Sequence, residues 1–505
     1  MPPVNLTLPL TAWRPDNSAF RAGALQIARG CIKKAQGFKP APTLVNVTDT
    51  VLPNFAGADA LVTADDTSAD KSFRTYAGNK SAIYEASGTP LVWNDVSKVG
   101  GYAVPAEDRW RFAQFDGDLF ATNLIDPVQF VNVGAGGLFA DTGAPNIPKA
   151  KYIAAVGNDY LMLGFIDDPI EGIKSNRGQW GPFRDPFGDW ADIGTNADRT
   201  NIVNLSEIRG VEGGEWATFL LERGVVQLTP SPGALEAFQV DEISTEVGCS
   251  FPASVITVGH RTMWLDRAGW LMFDGSRVTP IGAQWVDEWT KGELRSGQEF
   301  RIQPGYDPDE KVVRWLFTGE GSQGDVPNRC LILRPELGQQ GWSYQDVDAY
   351  VLGTFVSPGT NLDADPYPTL DAPRPPLDDP FWQAGSPVAG AIDDQGRAAT
   401  FKGPADDAVF TWPEGMVSDA ADLVTLDAAL PITRGGSPSV QISTRDQLNQ
   451  DLVFGPDVAP QPNGEIPLRV DARYQTITMK QTGEWEDATA LQLAGHTTGT
   501  RGRVA

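Results

Sequence analysis

One short pattern recurs through most of the chain: a turn of Asp, Asn or Gly, an apolar run, a second turn and a second run. Its clearest copy is WLDRAGWLMFDGSRVTPIG, residues 264–282. Asp266-Arg267-Ala268-Gly269 and Asp274-Gly275-Ser276-Arg277 carry the residues that tight hairpins need, because Gly accepts positive φ and Asp bonds its own backbone. The copies, this one included, are marked by Gly78, Gly117, Gly157, Gly214, Gly259 and Asp309, at intervals of 39, 40, 57, 45 and 50 residues, with a weaker one at 388–403. A four-stranded propeller blade occupies about 40–50 residues. A lone sheet leaves both faces wet, and stacking blades around an axis covers them. The pattern therefore predicts an all-β chain built on a β-propeller of six or seven blades.

Departures from the pattern set the domain boundaries. Residues 46–410 form the predicted propeller, interrupted at 361–380 by NLDADPYPTLDAPRPPLDDP, which is too proline-rich to lie inside a sheet. From 411 to 505 the alternating runs lengthen, as in SVQISTRDQL and ARYQTITMKQTGEW, and predict a small sandwich-like β domain. Helical periodicity is confined to 18–35 and 284–294. Residues 1–45 are basic in an acidic chain of formal charge −25. Trp13, Arg14, Phe20, Arg21, Arg29, Lys33 and Lys34 make this segment either an assembly arm or a strand that completes one of the two domains.

The composition narrows the chemistry. Strong acidity disfavours wrapping of nucleic acid, which needs clustered Lys and Arg. The widely spaced Cys31, Cys249 and Cys330 make neither a metal pattern nor a disulfide framework and read as reduced thiols. Only His260 and His496 are present, which leaves no catalytic triad or His-rich zinc site. Asp393-Asp394-Gln395-Gly396 is a fragment of an Asp-box without its Thr-Trp, and Asp307-Pro308-Asp309-Glu310 reads as a solvated turn rather than a Ca²⁺ loop. No enzyme, cofactor or metal is expected. No signal peptide or membrane-length apolar run appears, so synthesis in the cytoplasm without membrane insertion is expected.

The order of segments then becomes informative. A Trp-containing loop (Trp190) is followed by Glu222-Arg223, Val247-Gly248-Cys249, Pro252 with Ser254, and the Trp264–Gly282 hairpins that include Gly269, Asp274 and Gly275. PLTAWRPDN and KAQGFKPAPTL lie near one end, and ARYQTITMKQTGEWEDATALQLAG near the other. This series resembles the tail nozzle proteins of short-tailed bacteriophages, the P22-type tail accessory factor or packaged-DNA stabilisation protein family.

The resemblance implies a structural virion protein of the viral tail. It would form a homohexamer below the portal and its adaptor, contact tail fibre, spike or needle proteins, retain packaged double-stranded DNA and conduct it during DNA ejection without sequence-specific binding. The alternative is a receptor-binding or glycan-processing propeller. The acidic residues Asp363, Asp365, Asp371, Asp378 and Asp379 are candidates for the channel lining or a peripheral loop, because an acidic wall repels a sliding polyanion.

Overall fold

The computed structural model describes residues 3–17, 23–67, 73–88, 91–231, 236–356, 387–414 and 423–499. Among them, short antiparallel strands assemble into seven four-stranded blades. Blades one to five span 60–95, 111–141, 149–201, 208–244 and 256–280, each an independent sheet in sequential strand order. Blade six spans 303–346 and forms one end of a thirteen-stranded sheet. Blade seven combines Ala349–Val356, Pro387–Asp393 and Arg397–Thr400 with Val45–Val51 from near the other end of the described chain. That borrowed strand closes the ring, so no blade is left with a missing outer strand.

Side-chain alternation explains why the blades stack. The middle strands are covered on both faces and are almost uniformly apolar, as in Ala217–Leu221 and Val312–Phe317, whose residues are all buried. First strands of successive blades touch one another and line the axis. Where blade seven meets blade one, Gly353 lies so close to Leu61 that a Cβ would overlap the Leu61 carbonyl oxygen. Val356 N–H also donates to Thr75 Oγ1 across this junction at 2.8 Å.

Aspartates repeatedly end a strand and organise the following turn. Asp168 accepts from Ile170 and Glu171 N–H, both at 2.9 Å, and pairs with Arg177 at 3.3 Å. Asp307 accepts from Asp309 and Glu310 N–H and pairs with the buried Arg314 at 2.8 Å. Asp393 accepts from Gln395 and Arg397 N–H, at 2.9 and 2.7 Å, and from Arg397 Nε. Each carboxylate thus satisfies turn donors and a cation together, which is what allows a charge to be buried there. The acidic turns at 307–310 and 393–396 are structural in this sense.

The second unit is one long antiparallel hairpin, Leu423–Arg445 with Tyr474–Gly499, bent where the pairing register shifts at 432–437. One half is flanked by Pro3–Pro9 and Ile466–Ala472, the other by Ala408–Thr411 and Val453–Phe454. Leu8, Leu426, Leu468 and Leu491 from the first half share a core with Val440, Ile442, Ile477 and Met479 from the second. The hairpin is thereby folded over itself.

A three-residue strand joins the two units. Ile27–Arg29 pairs with Ala408–Thr411 on one side and, at Arg29 with Tyr344, with blade six on the other. The helix expected over 18–35 is not what the described part of that segment forms. Residues 27–29 and 31–33 are strands, separated by Gly30 at φ +70°, where a Cβ would overlap the Asp407 carbonyl oxygen. The second helix does form, at Asp287–Glu293.

Of the two readings of residues 1–45, the described residues follow the completing strand: Pro3–Pro9 joins the second unit and Val45–Val51 blade seven. Trp13 is fully buried, 4.8 Å edge-on to Trp289 and 5.1 Å from Tyr344, and its indole N–H donates to Gln26 O. Asp16 accepts the N–H groups of Glu288 and Trp289, capping the Asp287–Glu293 helix from a distant part of the chain. Trp13→Ala is expected to destabilise the fold by about 3–5 kcal/mol, read from urea denaturation. An unchanged midpoint would show the segment to be dispensable for folding.

Candidate functional site

The innermost strands leave a cavity of about 720 Å³ at one mouth of the central channel. Its wall is built from the approaches to blades two to five and from residues 297–300, which connect blades five and six. A second cavity of about 290 Å³ shares Arg111, Tyr152 and Pro252 and continues past Gln114 and Glu212.

Alternation at the start of blade two places the key side chains. Trp110 turns into the core, fully buried, with its indole N–H on Asn79 O. Its neighbours Arg109 and Arg111 both line the cavity, as residues two apart in an extended chain share a face. Arg109 reaches across the channel, donating to Phe300 O at 2.6 Å, Ile302 O at 3.0 Å and Ala253 O at 3.5 Å. Burial and the adjacent Arg111 charge press its pKa down to about 9, which still leaves it cationic at neutral pH. Arg111 donates to Pro252 O at 3.3 Å and lies 5.8 Å from the Tyr152 ring centre.

Two other cations of the wall are neutralised: Lys151 by Asp108 and Arg209 by Glu207, each at 2.7 Å. Arg209 nevertheless keeps its buried Nε without a hydrogen-bond partner. Tyr152 is buried between Arg111 and Arg209, and desolvation drives its phenol pKa upward. Glu212 is likewise pushed up by burial and is hydrogen-bonded to Thr257. The site can recognise charge and shape. Among the described residues no group of three or more His, Cys, Asp and Glu side chains is placed to hold a metal.

The residues singled out in the sequence lie elsewhere. Glu222, Gly248 and Trp264 meet where blades four and five adjoin: Trp264 Nε1–H donates to Gly248 O at 2.8 Å, and a Cβ on Gly248 would overlap Glu222 O. Arg223 is exposed beside them, its N–H on Leu205 O. Gly269, at φ +123°, brings the hairpin against Asp287, whose carboxylate accepts Trp270 N–H. Asp274 accepts from Ser276 and Arg277, which holds its pKa down at about 2, and Gly275 lies under the Trp216 ring. Trp190 is buried against Gly181, its indole N–H on Pro186 O.

The basic candidates are engaged inside the chain. Arg14 bonds Gln284 O, Arg29 pairs with Asp346 at 3.2 Å and Lys34 with Asp487 at 2.8 Å. Lys33 is buried over the Phe38 ring with Gly37 O as its acceptor. Phe20, Arg21 and the five aspartates Asp363, Asp365, Asp371, Asp378 and Asp379 lie outside the described residues. All three cysteines are buried and free, His260 is exposed, and His496 contacts Asp427. No helix among the described residues is long and apolar enough to cross a membrane.

No family model and no curated protein matches this chain. Its fold is similar to solved β-propellers. YCF48 with a bound D1 peptide is 11% identical, at a TM-score of 0.35, over 71% of this chain and 98% of that one. BamB from Moraxella catarrhalis is also 11% identical, at a TM-score of 0.34, over 74% and 92%. The blade assignment itself rests on the strand pairing described above.

Burial gives Lys33 a testable pH signature. Its pKa is lowered from 10.5 to about 8, so its buried charge opposes folding wherever both folded and unfolded chains are protonated. Between those two values the unfolded chain binds more protons, and stability rises with pH. The parent is expected to gain stability relative to Lys33→Met from pH 8 to 10.5, measured as the difference in urea midpoint. A flat or falling difference would contradict this placement.

Proposed function

We propose that this chain is a structural subunit of a short-tailed phage tail, the nozzle ring that retains packaged DNA and later conducts it. The observation that carries the reading is the ordered series from Trp190 through Trp264 to Gly275, whose members in the described fold occupy blade junctions and hairpins rather than a reaction centre. A family held together by architecture would keep such positions in order. The acidic balance of −25 favours a surface past which DNA slides without lasting phosphate contacts.

On this reading the subunits close a cyclic ring through heterologous contacts. Since the described parts of the N-terminal segment, 3–17 and 23–45, pack within their own chain, we assign contacts to portal adaptors and to fibre, spike or needle proteins to other surfaces. Electron microscopy of particles carrying a tagged copy is expected to show six subunits around the tail axis below the portal. One or three copies, or a location at a fibre tip, would overturn the proposal in favour of a receptor-binding role.

A further inference from the structure

We propose that the channel-mouth cavity binds an acidic peptide segment, with a carboxylate held by Arg111 in the positive field of Arg109 and apolar side chains against Phe165, Phe251 and Phe300. This site is independent of the nozzle reading, because it lies at the mouth of each propeller.

Four observations support it. First, among the described residues Arg109 and Arg111 have no carboxylate within ion-pair distance; their partners are backbone carbonyls. Two adjacent guanidinium groups without a counterion are costly in a desolvated place; Arg109 spends its Nη donors on three carbonyls, whereas Arg111, with one contact at 3.3 Å, retains N–H donors arranged in a fork that matches a carboxylate. Second, Arg209 adds a buried, unpartnered Nε on the same wall. Third, the volume of about 720 Å³ is that of ligand sites of roughly 300–1,000 Å³. Fourth, three phenylalanines on the wall are each only partly buried, so apolar surface remains to be covered.

Other charges on the wall narrow the choice of anion. Glu107 and Glu299 also line the cavity, and Asp108 and Glu207 are already paired with Lys151 and Arg209. Glu212 lies deeper, bonded to Thr257. Such a mixed wall repels a polyphosphate but accepts one or two carboxylates flanked by apolar groups. A protein segment supplies that combination.

The test is fluorescence anisotropy of a fluorescein-labelled hexapeptide of alternating phenylalanine and glutamate against the full chain. Saturable binding that weakens with added salt is expected. Arg111→Gln should weaken it at least tenfold, while Arg277→Gln, an exposed arginine on blade five, should leave it unchanged. A peptide with lysine in place of glutamate should not bind. Equal binding by Arg111→Gln would overturn the proposal, as would displacement by a 20-base-pair duplex or by millimolar inorganic phosphate as effective as displacement by unlabelled peptide. If Arg111→Gln fails to fold, the salt dependence and the lysine peptide decide: binding by the parent that ignores both also overturns it.

Discussion

The architecture depends on three residues. Ile27–Arg29 is hydrogen-bonded to blade six on one side and to the Ala408–Thr411 strand on the other, so one sheet runs from the propeller into the second unit. Backbone groups that would otherwise form two exposed sheet edges are paired with each other through this strand. Trp13 closes over the join from one side, and Gln26 N–H and O are spent on Thr411 and the Trp13 indole. A linker between independent domains would make no such demands.

The same early segment serves a second purpose. After bridging the units it continues through Phe38–Pro40 to Val45–Val51, the outer strand of blade seven. Ring closure and domain attachment are thus made by neighbouring stretches of chain. Residues 31–33 and 38–40 form a short hairpin in which two lysines are ion-paired within the fold, Lys34 with Asp487 and Lys39 with Glu310, while the buried Lys33 has only the Gly37 carbonyl. Part of the basic excess near one end of an acidic protein is thus matched by its own acidic strands and loops, through Arg29, Lys34 and Lys39.

The blades were legible because their cause is local. Asp and Gly at the turns and apolar runs between them act within ten or twenty residues, and the Trp264–Gly282 stretch folds as its residues suggest. The seventh blade was faint because its strands are separated by some three hundred residues of chain, and pairing at that distance leaves no local pattern. The stretch from 27 to 33 looked helical because Ile27, Ala28, Cys31 and Ile32 have helical spacing; all lie in strands instead, Ile27 half-buried and the other three buried, and Gly30 in the left-handed region marks the break. The channel site was not read from the sequence, although a signal for part of it was there. Arg109-Trp110-Arg111 announces a strand with one buried face, but Tyr152, Arg209 and Phe300 come from other blades and connectors, and only the ring brings them together.

The central physical claim is that the two units share one cooperative sheet. Native-state hydrogen exchange tests it directly, since amides that open together report one free energy. The account predicts that amides of Arg329–Leu333 and Trp342–Asp346 in blade six, of Ile27–Arg29, and of Ala408–Thr411 with residues 478–481 exchange with the same opening free energy and the same denaturant dependence. Exchange of 408–411 and 478–481 orders of magnitude faster than blade six, with its own denaturant dependence, would show two separately folding domains and contradict it.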